Sequence, residues 1–266
     1  MGTVPFGLSP PSRSMMLMFS SLFVLALFVQ GFGLVPARPL EGNAGTSDAK
    51  GLAFVKLRIE GAQKTIFEGR VLTYGHNITT VSGGTHKCDS TNHNANPKPG
   101  ATCTTALNDA AKKHGFDFDG TFDTEFEDYF ITSIGGDDQT ATKFWGVLLN
   151  YQFTPVGGCQ AKVTPHDDVL WAFDAFSKEH FLKLEAPLHV KKGALARLKV
   201  TDGTTGAPLS SAKLNKISGP GGAAVLGTST EDGTISVAFS DAGVYTLKAS
   251  RDDSIRSNGV ILVVTP

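Results

Sequence analysis

The segment HGFDFDGTFDTEFEDYF, His114 to Phe130, sets Asp117, Asp119, Asp123, Glu125, Glu127 and Asp128 among phenylalanines and a tyrosine. Such a run of carboxylates could ligate calcium, supply a pair of catalytic acids, or solvate the wet face of a strand. An EF-hand calcium loop needs oxygen ligands at positions 1, 3 and 5, glycine at 6 and glutamate at 12. Counted from Asp117, position 5 is Thr121, position 6 is Phe122 and position 12 is Asp128, while Gly120 comes two places early. The loop does not fit. A glycosidase needs two acids facing each other across a sugar-sized cleft, which spacing alone does not supply. The phenylalanines explain more. Phe116 and Phe118 alternate with Asp117 and Asp119, Gly120 turns the chain, and Phe122, Phe126 and Phe130 return at four-residue spacing. This pattern predicts aromatic side chains docked on a core with the carboxylates in water. A surface calcium site and a secreted hydrolase using the acids of 117–128 are the alternatives.

A second chemistry-bearing stretch, HNITTVSGGTHKCDSTNHNANPKPGATC, holds His76, His86, Cys88, His93 and Cys103. His86, Cys88, His93 and Cys103 could be drawn as a zinc site, but their spacings match no standard pattern. A disulfide between Cys88 and Cys103 is expected instead. It would close a loop of about fifteen residues and stabilise by roughly 3 kcal/mol through chain entropy. Cys159 is then the odd thiol, either buried and inert or paired with Cys88 or Cys103 in place of that bond. The chain contains no G-x-S-x-G elbow, P-loop, G-x-G-x-x-G or H-E-x-x-H. No catalytic residue, metal or cofactor is therefore expected.

The oxidised reading of the cysteines rests on an address at the N-terminus. Arg13 precedes MMLMFSSLFVLALFV, Met15 to Val29, and Val35 and Ala37 follow as small residues where a signal peptidase reads. The run is short of the roughly 20 apolar residues a membrane span needs, so 1–37 reads as a secretory signal, with an uncleaved anchor as the alternative. Beyond it the protein is expected to be extracellular, at the cell surface or in the cell wall, with no membrane span after cleavage and with disulfides permitted. The sequon Asn77-Ile78-Thr79 can then accept an N-glycan. Formal net charge is -1 over 266 residues, with no basic run, which argues against a nucleic-acid partner. Charged residues make up 18% of the chain and glycine is frequent, at 30 residues, a mixture that suits turn-rich β structure.

The elements needed to position these residues follow from periodicity. After a polar spacer, 38–50, AFVKLRIEG and KTIFEGRVLTYG alternate as two strands of a hairpin turned at GAQ. Ser82 to Pro99 has no apolar rhythm and reads as a long loop. TTALNDAAKKHG is a helix capped by Thr104 or Thr105, with Ala106, Leu107, Ala110 and Ala111 on its apolar face and Gly115 at its end. DYFITSIGG, TKFWGVLLNYQF and DDVLWAFDAF then read as three strands. From Pro187 onward, short alternating strands are punctuated by Asp-Gly, Thr-Gly and Ala-Gly turns with no helix, which predicts a β-sandwich. The organisation is an α+β module over 51–178, a linker over 179–186 and an all-β sandwich over 187–266, mainly β overall.

Within the first module, Phe144-Trp145, Asn150 and Asp168-Val169-Leu170-Trp171 stand in an order that resembles the transcobalamin-like C-terminal domain, a β-grasp-like, DUF4430-type module. The resemblance covers Val55 to Phe176, with His166-Asp167 where that family often has Gly-Asp. It implies a binding module, with Trp145, Asn150 and Tyr151 on the sheet face that would meet a ligand. The helical barrel that supplies most of the cobalamin pocket in the vitamin carriers has no counterpart in the residues before Val55, so transport of cobalamin is not implied. In the second module, VTDGTTGAPLSSAKL, TEDGTISVAF and AGVYTLKAS resemble prealbumin-like or CnaB-like sandwiches of surface proteins. Ala249 stands where some of these place the glutamate that assists a lysine–asparagine crosslink, so the resemblance carries the fold and not that bond. The expected function is recognition of an extracellular protein, a cell-surface polymer or a ligand without catalysis. The alternatives are a small-molecule carrier built around Trp145 and the hydrolase already named.

Overall fold

The computed structural model describes residues 51–266, which belong to one compact unit. The signal and spacer assigned to 1–50 lie outside the described residues. Strand β1 (Ala53–Glu60) alternates Val55, Leu57 and Ile59 inward and pairs antiparallel with β2 (Thr65–Thr73). The polar stretch that follows is not all loop. It contains the hairpin of β3 (His76–Thr80) and β4 (Gly84–Cys88), which buries Ile78 and Cys88 against the core. The apolar rhythm is too sparse to announce a strand, because most side chains of this hairpin face solvent.

Helix α1 (Cys103–His114) begins one residue earlier than its composition suggests. Thr102, not Thr104 or Thr105, is the N-cap. Its hydroxyl accepts from the Thr105 backbone N–H while the Thr105 hydroxyl accepts from the Thr102 N–H, a reciprocal capping pair. Gly115 closes the helix in the left-handed region at φ 71°, after Lys112, Lys113 and His114 in the last turn. Then come β5 (Phe118–Asp123), β6 (Asp128–Ile134) and β7 (Asp137–Asp138) as a small antiparallel sheet, followed by β8 (Trp145–Leu149), β9 (Gln152–Phe153) and β10 (Asp168–Phe173). The main sheet of this half runs β2-β1-β10-β8-β9, with β1 and β10 parallel. Such a pair is stable when both faces are covered. On one face Val169, Trp171 and Phe173 join the core that holds α1. On the other, Leu170 and Ala172 face the second module.

The remainder is β11 (His180–Glu185), β12 (His189–Lys191), β13 (Leu195–Asp202), β14 (Lys213–Ser218), β15 (Ala224–Thr228), β16 (Thr234–Ala238), β17 (Gly243–Ser250), β18 (Ser254–Ile255) and β19 (Val260–Thr265). Two sheets, β16-β13-β11-β18 and β12-β19-β17-β14-β15, enclose a core of Leu184, Leu198, Val200, Leu214, Leu247 and Leu262. The expected linker over 179–186 is therefore corrected. HFLKLE alternates, pairs with β13, and forms a strand of the sandwich. Its Phe181, with Ile255, packs on Leu148, Leu170, Ala172 and Ala175 of the first module. The two modules share an apolar seam.

Candidate functional site

The residues singled out as ligand-facing do not line a site together. Trp145 is 5% exposed, donates its indole N–H to the Asp137 carbonyl at 2.9 Å, and meets Phe173 edge-on inside the core. It is a core aromatic and not a platform for a ligand, with both faces of β8 packed. Asn150 sits in the β8–β9 turn at φ 52° and exchanges hydrogen bonds with the Asp167 carboxylate and the Asp168 N–H. It braces a turn. Tyr151, next to it, turns into the seam. Its hydroxyl donates to Asn258 at 3.3 Å, and the Arg58 guanidinium lies 5.7 Å from its ring. A Cβ on Gly203 would collide with that ring, so glycine is what lets the sandwich approach.

The acidic segment resolves into turn-making groups. Asp119 accepts from the Ser82 N–H and hydroxyl, and Asp123 accepts from the N–H groups of Glu125 and Phe126. Asp128 is buried and accepts from the N–H groups of Tyr129, Cys159 and Gln160. Loss of hydration pushes its pKa up to about 6, against the pull of those three donors. Phe116, Phe118 and Phe122 pack on the core as expected. Phe126 and Phe130 do not, at 57% and 48% exposed, because the tight turn at Glu127, φ 50°, carries them outward.

The cysteine assignment is corrected. Cys88 bonds Cys159, 71 residues away, and Cys103 is the free thiol. Cys103 occupies the first turn of α1, fully buried, where burial pushes the thiol well above its usual pKa. The 157–160 turn, held by Asp128, is what delivers Cys159 to the end of β4. Asn77 is exposed on β3. Among the described residues, Glu179, His180 and Asp253 bring ligand-type atoms within 4.8 Å of one another. The His180 and Asp253 atoms already have partners. His180 Nδ1 meets Asp202 at 2.9 Å, and Asp253 accepts from Arg251 and Ser254 at 2.7 Å each.

The structural feature that can receive a ligand is the cleft of about 1130 Å³ beside the seam. One wall is the β1–β2 turn with Lys64 and Glu68. The floor is the outward face of the five-stranded sheet, where Ile217 and Val225 are exposed on neighbouring strands. Beside this floor, between the sheet and the first module, lies a buried ion network that sequence reasoning missed. Lys248 Nζ donates to Glu60 at 2.6 Å, Thr65 at 2.7 Å and Glu68 at 2.8 Å, and Arg256 Nε donates to Glu60 at 2.8 Å. Arg58 completes it through Glu60 and the Arg256 carbonyl. Glu60 is 1% exposed and Lys248 6%, so all three ammonium protons are satisfied inside the protein. The partners lie up to 198 residues apart in sequence. Its trace in the sequence is faint: Lys248 stands on the face of VYTLKAS opposite Tyr245, Leu247 and Ala249.

A family model described as "Domain of unknown function (DUF4430)" matches residues 100–175, from the approach to α1 through β10. No curated protein and no solved structure matches the chain.

Proposed function

We propose that this chain is a secreted, non-catalytic binding protein whose ligand occupies the cleft between the α+β module and the sandwich. The observation that carries this reading is the cleft itself: roughly the size of a small-molecule site or larger, walled by two modules, and floored by exposed Ile217 and Val225. The shared seam and the Glu60–Lys248 network support it, because they hold the two walls at a fixed separation before any ligand arrives. The non-catalytic part draws support from the acidic segment, whose Asp119, Asp123 and Asp128 are each engaged in holding turns. A transcobalamin-like first module and a CnaB-like second module agree with a binding role at an extracellular surface, with Asn77 placed outward for a glycan.

A thermal-shift screen of small molecules against the wild type and Ile217→Asp tests it. Compounds should raise the wild-type midpoint and leave the variant unmoved. Equal shifts in both proteins, or no shift across the screen, would refute a ligand in this cleft.

A further inference from the structure

We infer that the cleft selects an amphiphilic organic anion, an aliphatic chain ending in a carboxylate, an inference that rests on the cleft reading above. The argument begins with which charges around the cleft are already neutralised. Lys248 and Arg256 are held by Glu60 and Glu68, and Arg251 by Asp253. Lys64, Lys143, Lys178 and Lys216 also line the cleft, and among the described residues none of them forms a salt bridge. Lys178 donates to the Asp252 carbonyl at 3.1 Å, and the buried Lys216 donates to the Pro220 carbonyl at 2.6 Å with its ammonium 5.9 Å from the Tyr245 ring. Opposing them are the carboxylates of Glu68, Asp174 and Asp252. Glu68 is consumed by Lys248 and the Gly259 N–H. The balance around the cavity is positive, on a chain whose formal net charge is -1.

The apolar part of the occupant follows from the floor. Ile217 and Val225 are more than half exposed, and the exposed Ala223 and Ala224 extend the aliphatic surface. β-Branched side chains on the outward face of a sheet, beside a second module that leaves them open, form a surface that gains by being covered. A purely polar anion would leave it wet, and a purely apolar ligand would leave the ammonium groups without partners. An aliphatic carboxylate serves both: the chain lies over Ile217 and Val225, and the carboxylate reaches the lysines at the rim. Lys64 and Lys143, both exposed and both carried by the first module, are placed as the headgroup contacts that a ligand can recruit without breaking an existing bond.

Isothermal titration with three ten-carbon probes tests this: decanoate, decan-1-ol and decyltrimethylammonium, each kept below its micellar concentration. Decanoate should bind about ten-fold more tightly than the alcohol, and the cation should bind more weakly than either. In the Lys64→Gln/Lys143→Gln double variant the advantage over the alcohol should fall several-fold. It should also shrink in the wild type as salt rises, since the rim is exposed and screened. Equal affinity for decanoate and decan-1-ol would overturn anion selection while leaving an apolar cleft site in place. Tighter binding of the cation would overturn it with the opposite sign. Binding of no probe, or decanoate binding unchanged in Ile217→Asp, would overturn the cleft reading on which the inference stands. Lys64 and Lys143 touch neither the core nor the ion network, so loss of binding in their variant with unchanged unfolding reports on the ligand.

Discussion

The two modules reach order by different means. The sandwich is built almost entirely from alternation: β13 buries Ala196, Leu198 and Val200 and exposes what lies between, and β17 and β19 answer with Leu247, Leu262 and Val264. The first module has fewer regular strands and ties irregular ones together with buried polar groups. Asp128 binds the 157–160 turn, Tyr129 donates its hydroxyl across to the Ile78 carbonyl, Thr102 and Thr105 cap α1, and Cys88 is bonded to Cys159. A fold made by patterning tolerates loss of single contacts at its edges. A fold made by specific ties should fail at the ties, and the boundary between the two should fail at its charges.

The sharpest way to break that contrast is at Glu60. Glu60→Gln leaves the buried Arg58 and the part-buried Arg256 without an acidic partner and Lys248 with Glu68 alone, which costs about 3–5 kcal/mol. Calorimetry should show one unfolding transition in the wild type and two in the variant, with the sandwich the more stable. Next comes the covalent tie. In Cys88→Ala/Cys159→Ala the unfolded chain regains the freedom of a 71-residue loop, worth about 4 kcal/mol by chain entropy. Urea unfolding should place that loss in the first module, visible through Trp145 and Trp171, both of which lie in its core. A single shared transition in the double variant, like that of the wild type, would show that the bond stabilises both modules together and not the first alone.

Smaller and of defined sign is the response to pH. The Asp128 carboxyl is raised from 3.8 to about 6 in the folded protein. Between those values the folded state holds a proton that the unfolded chain has released. Stability is therefore greatest below about pH 4 from this group, falls as pH rises toward 6, and levels off above, by about 3 kcal/mol in all. Asp128→Asn should flatten that part of the profile, and a profile identical to wild type would remove Asp128 from the account. The smallest effects sharpen the comparison from the other side. Asp123→Ala removes a turn cap and should cost about 1 kcal/mol, and Phe126→Ser, at an exposed site, should be within about 0.5 kcal/mol of neutral by chemical denaturation.

What the sequence disclosed follows the same division. Strands β1, β2, β6, β8 and β10, helix α1 with its Ala106–Ala111 face, and the sandwich strands were legible because each is set by local periodicity. Other features depend on residues far apart. Cys103 looked like the partner of Cys88 because it is near in sequence, but the capping of α1 buries it, and the Asp128-held turn brings Cys159 instead. The ligand-facing role of Trp145 follows from the resemblance alone, whereas its burial depends on Phe173 and Asp137, which the local pattern of β8 does not announce. HFLKLE alternates, but Pro187 just after it draws the module boundary to its C-terminal side and leaves the strand on the linker side. The cleft could not be read at all, because its walls come from a turn at 61–64 and a sheet more than 150 residues later.

The parallel pairing of β1 with β10 sets a timetable. Lys56 finds its partner Asp168 only after 112 further residues have been made, a delay of roughly 6–22 s at ordinary rates of synthesis. During that interval β1 can pair with β2 on one side, while its other edge stays open and the face carrying Val55, Leu57 and Ile59 lacks its cover. An open apolar edge is a template for pairing with other chains. The yield of correctly folded protein should therefore depend on what shields that edge in the first seconds, and slowing translation between β2 and β10 should lower yield more than slowing it anywhere in the sandwich.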